Sequence, residues 1–308
     1  MTKDFDAFFD KQLKEPLIPI ENIRHKAHNT FKILIGTTIV MGISLGLFIF
    51  YFPNPMLIFI FSAFFLAPIG FANNTINKAQ KRITPLFKNA TLLPMLEFLF
   101  EEVIYVPRQK MPVVMLNESL LRNIAADRVD GDDFVSCKIG DTYIQFCDLD
   151  SSFGPEISDF GGLFVAIQFN KSFKTKTVVK PKKIKNQFSR LILNLSKRMK
   201  NAHRISMENS TFNRNFITLG EDQIESRYIL TPALMERLLG YQTKVKKHIS
   251  FSFIDDIMYM AISYSDFLFE PRLFKPTNDK EFIRSNYDFF VLITDVVNDL
   301  DLNTKIWK

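Results

Sequence analysis

The feature that most constrains this chain is an apolar run from Phe31 to Ala72, which carries a single charge, Lys32, near its start. Its first part, Phe31 to Phe52, has twenty-two residues. At a rise of about 1.5 Å per residue, a helix of this length crosses a hydrocarbon core about 30 Å thick. Its second part, Met56 to Ala72, has seventeen residues, which is the lower limit for a membrane-spanning helix. The sequence therefore predicts a transmembrane helical hairpin over residues 31–72.

The predicted turn of the hairpin is Pro53-Asn54-Pro55, because proline lacks an N–H and disfavours helix in the residue before it. A cleaved signal peptide is disfavoured because the apolar run begins at residue 31 and a second apolar pass follows the first. A pair of core helices in a soluble protein is also disfavoured, since the first pass has no polar face.

Basic residues flank both ends of the run, whereas the turn carries no charge. Lysine and arginine concentrate on the cytoplasmic side of membrane helices. We therefore expect a multi-pass protein of the inner (cytoplasmic) membrane, in contact with the lipid bilayer and with both termini cytoplasmic. The flanking residues are Lys11, Lys14, Arg24, Lys26 and Lys32 before the run, and Lys78, Lys81, Arg82 and Lys88 after it.

Four parts follow from this topology. They are an N-terminal cytoplasmic segment over residues 1–30, the hairpin over 31–72, a stalk and docking helix over 73–110, and a cytoplasmic domain over 111–308. The apolar residues Phe5, Phe8 and Phe9 of the first part share a helix face. That face is expected to pack on the domain, and a position at the membrane surface is the alternative. Four prolines are expected to interrupt the helices of the first and third parts: Pro16, Pro19, Pro85 and Pro94.

From about Ser119 the apolar residues alternate with a period of two, which is typical of half-buried strands. Gly140-Asp141 is expected to form a two-residue hairpin turn that pairs Cys137 with Ile144. Because side chains alternate along a strand, Cys147 then lies on the opposite face, and no disulfide is expected. The predicted strands are Phe134–Ile139, Thr142–Cys147, Leu163–Phe169, Thr175–Val179, Phe216–Leu219, Ile249–Ile254 and Met258–Ser263.

Two helices accompany these strands in the prediction. The first, over residues 231–240, begins at Thr231-Pro232, an N-cap followed by proline, and ends at Gly240. The second covers about residues 278–300. The predicted fold class is therefore α+β: an N-terminal transmembrane helical hairpin followed by a cytoplasmic domain with an antiparallel β-sheet covered by helices.

Positive charge is concentrated in residues 171–204, where twelve basic residues stand in an interval without any acidic one, although the whole chain carries only +6. Such a segment could lie on anionic headgroups, bind nucleic acid, or form a solvated face that balances acidic residues elsewhere. Nucleic acid is disfavoured because aromatic residues are sparse in the segment. The candidates for contact with the membrane surface are Lys180, Lys182, Lys183 and Lys185.

The motifs of catalysis and metal binding are missing from the sequence. Asp130-Gly131-Asp132-Asp133 does not follow the spacing of a calcium loop and is expected to be a turn, and Asp255-Asp256 is expected to form a hairpin turn. Two cysteines without nearby histidines do not make a zinc site. We therefore predict no catalytic, cofactor-binding or metal-ligating residues, and whether the chain is an enzyme stays open, with a non-enzymatic role favoured.

Two stretches carry a family resemblance: FGGLFVAIQFNKSFKTKTVVKP over residues 160–181 and FNRNFITLGEDQIESRYILTPALMERL over residues 212–238. With the closing DLDLNTKIW and the two-span start, the chain resembles the bacterial membrane proteins of domain-of-unknown-function family 3137. The resemblance implies an anchored topology and a cytoplasmic domain. It implies no activity, because the family has no established one.

Glu225 and Arg227 flank Ser226 within the second stretch, just before the predicted helix. They are interpreted as a structural pair that seats this helix, and a possible groove is the alternative. The favoured function is a membrane-anchored interaction or scaffold module that presents its domain to an unknown protein partner or to anionic lipid headgroups. The alternative is a membrane-tethered enzyme that acts on lipid or envelope substrates through dispersed catalytic residues.

Overall fold

The fold was analysed in a computed structural model that describes residues 4–51, 55–122, 125, 127–150, 161–182, 195, 197–245, 248–263 and 269–304. Two compact units divide the chain. The first comprises Met1–Met95 and Phe269–Tyr287, and the second comprises Leu96–Leu268 and Asp288–Lys308.

Long helices form the first unit. A short helix begins after Asp4, whose carboxylate accepts a hydrogen bond of 2.9 Å from the Asp6 N–H. It continues without a break through a π-helical turn into a helix of 38 residues. A further helix of 45 residues follows. These elements are α1 (Phe5–Phe8), the π-helical turn Phe9–Leu13, α2 (Lys14–Tyr51) and α3 (Pro55–Leu99).

The predicted helix breaks at proline are wrong. Pro19 lies inside α2, and Pro85 and Pro94 lie inside α3. An interior proline removes one helical hydrogen bond and crowds the preceding turn. Burial of apolar residues next to the prolines offsets this cost: Leu17, Ile20, Ile83, Phe87, Leu92, Met95 and Leu96 are each at most 4% exposed.

The N-terminal phenylalanines pack inside the first unit. Phe5, Phe8 and Phe9 are buried, and the ring centroids of Phe5 and Tyr287 lie 5.0 Å apart. Phe8 also stacks on Tyr287. The apolar face of the N-terminal segment is thus covered by protein, as the favoured interpretation expects.

An antiparallel sheet forms the second unit, and the described residues contribute seven strands to it. Six strands follow the order β1-β2-β3-β4-β6-β5, and β7 pairs with β4. The strands are β1 (Glu101–Val106), β2 (Asp130–Ile139), β3 (Thr142–Asp150), β4 (Gly161–Pro181), β5 (His203–Ile205), β6 (Phe216–Gly220) and β7 (Ile249–Ser263).

β4 is the centre of the sheet. Its first half pairs with β3, its second half pairs with β6, and β7 follows it along most of its length. The register between β4 and β7 shifts twice, on either side of Phe173. These shifts leave extra residues of β4 without a ladder partner.

Helices cover the sheet. The rings of Phe146 on β3 and Phe290 on the last helix lie 5.6 Å apart. The opposite face of the sheet carries Cys147 and Leu149, which belong to a second apolar cluster with Leu121. The helices are α4 (Val113–Glu118), α5 (Ser210–Asn215), α6 (Gln223–Ile229), α7 (Pro232–Val245) and α8 (Lys280–Thr304). The α+β class with an antiparallel sheet is confirmed.

Several strand predictions are confirmed, and other predicted elements are corrected. The hairpin turn at Gly140 and the pairing of Cys137 with Ile144 are as predicted. However, the separate predicted strands of residues 163–179 form one strand, as do those of residues 249–263. Asp255 is therefore not in a turn but lies within β7, with φ at 54°. Glu101–Val106, which was assigned to a docking helix, is a strand.

Other boundaries also differ from the prediction. Asp130 to Asp133 open β2 rather than forming a turn, and the register with β3 shifts just after Asp132. α7 is capped by the Thr231 hydroxyl, which accepts a hydrogen bond of 3.3 Å from the Leu234 N–H. It then continues through Gly240 to Val245.

Candidate membrane anchor and basic surface

The outer part of α2 is apolar and faces solvent. Phe5–Tyr51 is the one helix in the described part of the chain that is long and apolar enough to cross a membrane. From Phe31 onward few of its side chains are covered by protein, although they are apolar. The strongly exposed ones are Ile33, Ile39, Val40, Ile43, Leu47, Phe50 and Tyr51, each at least 56% exposed.

The exposure of these side chains distinguishes a core helix of a soluble protein from a membrane helix. A core helix of a soluble protein buries its apolar side chains, whereas a membrane helix presents them to lipid on all sides. Large contiguous apolar surfaces are rare on soluble monomers. The outer half of α2 could therefore span a membrane.

A buried ion pair lies just before this apolar stretch. Arg24 is 5% exposed, and its guanidinium donates to the Glu21 carboxylate at 2.5 and 2.9 Å and to the Leu273 carbonyl at 3.0 Å. The Glu21 carboxylate also accepts from the N–H and the hydroxyl of Thr277, at 2.7 and 2.8 Å. Burial raises the pKa of Glu21, but these hydrogen bonds outweigh it and lower the pKa to about 2. The pair thus fastens the 273–277 segment to α2.

An aromatic cluster extends from the same segment to the start of the apolar stretch. Phe274 is 57% exposed, and its ring lies 5.4 Å from that of Phe31 and 5.8 Å from that of His28. Aromatic residues are enriched where membrane helices leave the hydrocarbon core. This position fits the water-facing end of the span.

The second predicted span falls within α3, because residues 56–72 follow the first residue of that helix. Its backbone is helical, but the side chains of residues 55–67 and the predicted turn residues 53 and 54 lie outside the described part. The hairpin therefore remains a prediction.

Residues of the basic segment 171–204 have different environments. Lys174, Lys182, Lys197 and Lys200 are exposed. Of the four candidates for membrane contact, Lys182 is the one that the structure places on the surface, with its ammonium 3.5 Å from the Asn213 carbonyl. Lys183 and Lys185 lie outside the described residues.

Lys180 is buried, and this removes it from the surface candidates. Its side chain is 9% exposed, and its ammonium donates to the Leu121 carbonyl at 2.8 Å. The lysine lies near the end of β4, where inward-facing and outward-facing residues alternate. The charge run in the sequence did not indicate which of its lysines face inward.

Glu225 and Glu221 support the irregular part of β4. The Glu225 carboxylate accepts from the Lys174 N–H at 2.5 Å and from the Thr175 hydroxyl at 2.8 Å. The Glu221 carboxylate accepts from the Lys176 N–H at 3.0 Å. The two carboxylates thus satisfy N–H groups that the register shift leaves without a ladder partner. This arrangement favours the structural interpretation of Glu225.

Arg227, the other residue of the possible groove, is exposed and donates to the Ser206 carbonyl at 3.1 Å. Between it and Glu225, the buried Ser226 hydroxyl lies 2.8 Å from the Thr177 hydroxyl. Glu225, Ser226 and Arg227 therefore hold α6 against β4 and against the backbone that follows β5.

Both thiols of the chain are free and buried. Burial raises the pKa of Cys137 and of Cys147 to about 12, so neither is a thiolate at neutral pH. Within the described residues, no group of three or more His, Cys, Asp or Glu side chains is placed to hold a metal ion.

A shallow cavity of about 270 Å³ lies in the first unit, beside the 271–282 segment. Its charged side chains are of both signs, Arg272 and Lys275 with Asp279 and Glu281. The Asp279 carboxylate accepts from N–H groups of the first turn of α8, as a helix cap does. Asp279 therefore has a structural role at this cavity.

Two buried or half-buried arginines of the second unit were not predicted from the sequence. Arg122 is 7% exposed, and two of its guanidinium nitrogens have no hydrogen-bond partner in the described part. Arg198 donates to the carbonyls of Arg122 and Asn117. No motif marks Arg122, and Arg198 is one of the twelve basic residues of the segment 171–204.

In comparisons with known proteins, part of the chain matches a family model, which gives no role. The model of a family described as a protein of unknown function (DUF3137) matches residues 158–302. Among solved structures, the chain is similar to the crystal structure of the mycobacterial trehalose monomycolate transport factor A, TtfA. The two are 7% identical, with a TM-score of 0.35, over 62% of this chain and 86% of the other. No curated protein matches the chain.

Proposed function

We propose that the chain, of which residues 158–302 match the uncharacterised DUF3137 family, is a membrane-anchored interaction module. In this proposal the outer half of α2 lies in the bilayer. The sheet of the second unit is presented to a protein partner on the cytoplasmic side. The observation that carries the proposal is the exposed apolar surface of α2.

The finer topology is part of the same proposal. The second apolar stretch, residues 56–72, would return the chain through the inner membrane and complete a hairpin. Basic residues before and after the hairpin would then keep both termini in the cytoplasm. The tethered-enzyme alternative has no supporting cluster of catalytic side chains among the described residues.

Insertion of α2 into a bilayer can be tested with one substitution and a matched control. Residues 14–52 are placed as a test segment in a reporter protein, and the inserted fraction is measured by glycosylation of flanking sites. Ile43→Asp should sharply reduce insertion, because an aspartate at the centre of a span costs about 2.5 to 3.5 kcal/mol.

Ile18→Asp is the control, because Ile18 is 57% exposed and Ile43 is 62% exposed, but Ile18 lies before the apolar stretch. It should leave insertion unchanged. Equal effects of the two substitutions, or no insertion of the unmodified segment, would contradict the anchor.

Contact between the basic segment and anionic headgroups is a second element of the proposal. The exposed lysines Lys174, Lys182, Lys197 and Lys200 support it. Each basic residue near an anionic surface contributes about 1 kcal/mol, and salt screens the attraction.

This contact predicts protection of those lysines from a water-soluble acetylating reagent. The full chain is labelled in nanodiscs of phosphatidylcholine with and without phosphatidylglycerol, and acetylation is mapped by mass spectrometry. Lys182 and Lys200 should react more slowly when phosphatidylglycerol is present, and high salt should remove the difference. The buried Lys180 is the internal control and should react slowly in both. Equal labelling of the exposed lysines in both lipids would contradict the contact.

A further inference from the structure

The 117–122 segment of the second unit comprises the last two residues of α4 and the four that follow. Its backbone accepts hydrogen bonds from two cationic side chains. The Lys180 ammonium donates to the Leu121 carbonyl at 2.8 Å, and Arg198 donates to the Arg122 carbonyl at 3.0 Å. Arg198 also donates to the Asn117 carbonyl. Carbonyl oxygens satisfy hydrogen bonds of the Arg198 guanidinium but do not neutralise its charge.

Arg122, which belongs to the same segment, carries a third positive charge. Its side chain is 7% exposed, and its Nε and Nη1 atoms have no hydrogen-bond partner in the described part of the chain. A guanidinium stays charged at all physiological pH values and carries five N–H donors. Because more than about 90% of buried polar groups in native proteins have a partner, this one calls for an explanation.

Among the described residues, no acidic side chain pairs with the Arg122 or Arg198 guanidinium. Neither Arg122 nor Arg198 forms a hydrogen bond or an ion pair with a carboxylate there. Burial is the one cause that lowers the pKa of Arg198, with no charged neighbour contributing. An isolated buried charge is costly, and the usual remedy is an ion of opposite sign.

We propose that Arg122 and Arg198 form a binding site for a phosphate-bearing anion, beside Lys180. The fork of a guanidinium matches the oxygens of phosphate, and phosphate carries the charge that the site lacks. The surrounding basic segment raises the local concentration of anions. The phosphate group comes from a free solute or from the headgroup of an anionic phospholipid.

This site is independent of the proposed contact between exposed lysines and the membrane surface. Its central residue is buried, so a flat lipid surface does not reach it without inserting a headgroup. Loss of surface contact would therefore leave phosphate binding intact, and the two proposals fail separately.

The test uses the full chain in an uncharged detergent, with two sources of phosphate. Inorganic phosphate is titrated by calorimetry against chloride at equal ionic strength, and added phosphatidylglycerol is detected as bound lipid by native mass spectrometry. The wild-type chain should bind at least one of the two saturably. Arg122→Met should weaken that binding at least tenfold, and Lys197→Met, which removes an exposed charge of the same segment, should change it less than twofold.

Binding of phosphate alone identifies a soluble ligand, and binding of the lipid alone identifies a headgroup, so either result supports the site. Absence of binding in both arms overturns it, as does equal binding by wild type and Arg122→Met.

Thermal unfolding separates a ligand site from a structural role. In phosphate-free buffer Arg122→Met should melt at or above the wild-type temperature, because it removes an uncompensated buried charge. A lower melting temperature would indicate that the guanidinium stabilises the fold directly and would overturn the proposal. If the variant does not fold, Arg122→Lys, which keeps the charge but loses the fork, should bind at least threefold more weakly than wild type, and unchanged affinity overturns the site.

Discussion

At the scale of single residues, the charged side chains that the structure buries or half-buries are used mainly to join segments distant in sequence. Glu21 and Arg24 bind the 273–277 segment to α2, and Glu225 binds α6 to β4. Lys180 binds the end of β4 to Leu121. Such roles depend on tertiary neighbours, and therefore the residue types alone could not reveal them.

Glu21 provides a prediction at this scale. Glu21→Gln should lower the free energy of unfolding by about 1 to 3 kcal/mol, because it weakens the hydrogen bonds of a carboxylate and leaves the charge of Arg24 buried without compensation. Thermal unfolding of the full chain measures the loss. Glu15→Gln, at an exposed position of the same helix, is the control and should have little effect. Equal melting temperatures of Glu21→Gln and wild type would contradict this role.

The pH dependence of the same pair has a definite sign. The pKa of Glu21 falls from an ordinary 4.5 to about 2 in the folded chain. Its stabilisation is therefore present above about pH 4.5 and is lost as the pH falls toward 2. Wild type should lose more stability than Glu21→Gln across this interval, and parallel loss in both would contradict the assignment.

At the scale of elements, the sequence predicted strands better than it predicted their continuity. The alternation of apolar residues located β2, β3, β4, β6 and β7, and the Gly140 turn set the register of the first pair. The alternation did not reveal irregular positions inside strands. Asp255 has a left-handed backbone conformation within β7, and the sequence Asp255-Asp256 is also typical of a turn. The helix breaks predicted at the prolines are wrong for a similar reason. Burial of apolar side chains elsewhere in the helix outweighs the lost hydrogen bond at each proline.

The glycines of β6 and α7 give matched predictions of opposite sign. A Cβ on Gly220 would lie 2.5 Å from the Ile205 Cδ1 and would clash with the Ser226 hydroxyl, whereas one on Gly240 meets nothing within 4 Å. Gly220→Ala should therefore destabilise the chain by about 1 to 3 kcal/mol. Gly240→Ala should stabilise it by about 0.5 to 1 kcal/mol, because alanine favours the helix interior. Melting temperatures that shift in the same direction would contradict this packing.

In the whole molecule, the proposed anchor follows from a contrast between two apolar surfaces. One surface is covered by protein, and the other is exposed. The apolar residues before Ile23 are mostly buried, and those after Phe31 mostly exposed, within one helix. The sequence predicted the long apolar helix at this position, because an uncharged run of this length is typical of a membrane span. The sequence could not predict the proposed anion site, because the burial of Arg122 depends on the tertiary fold.

Labelling of a single cysteine from defined sides of the membrane tests whether the chain is anchored in the membrane with its second unit in the cytoplasm. Cys137 and Cys147 are buried, so the folded chain should show little background with a membrane-impermeant maleimide. Lys200→Cys introduces an exposed thiol in the second unit. In sealed vesicles we expect this thiol to be labelled from the cytoplasmic face and protected from the opposite face. We also expect the chain to resist extraction from the membrane at alkaline pH. Labelling from the opposite face, or release of the chain from the membrane, would contradict it.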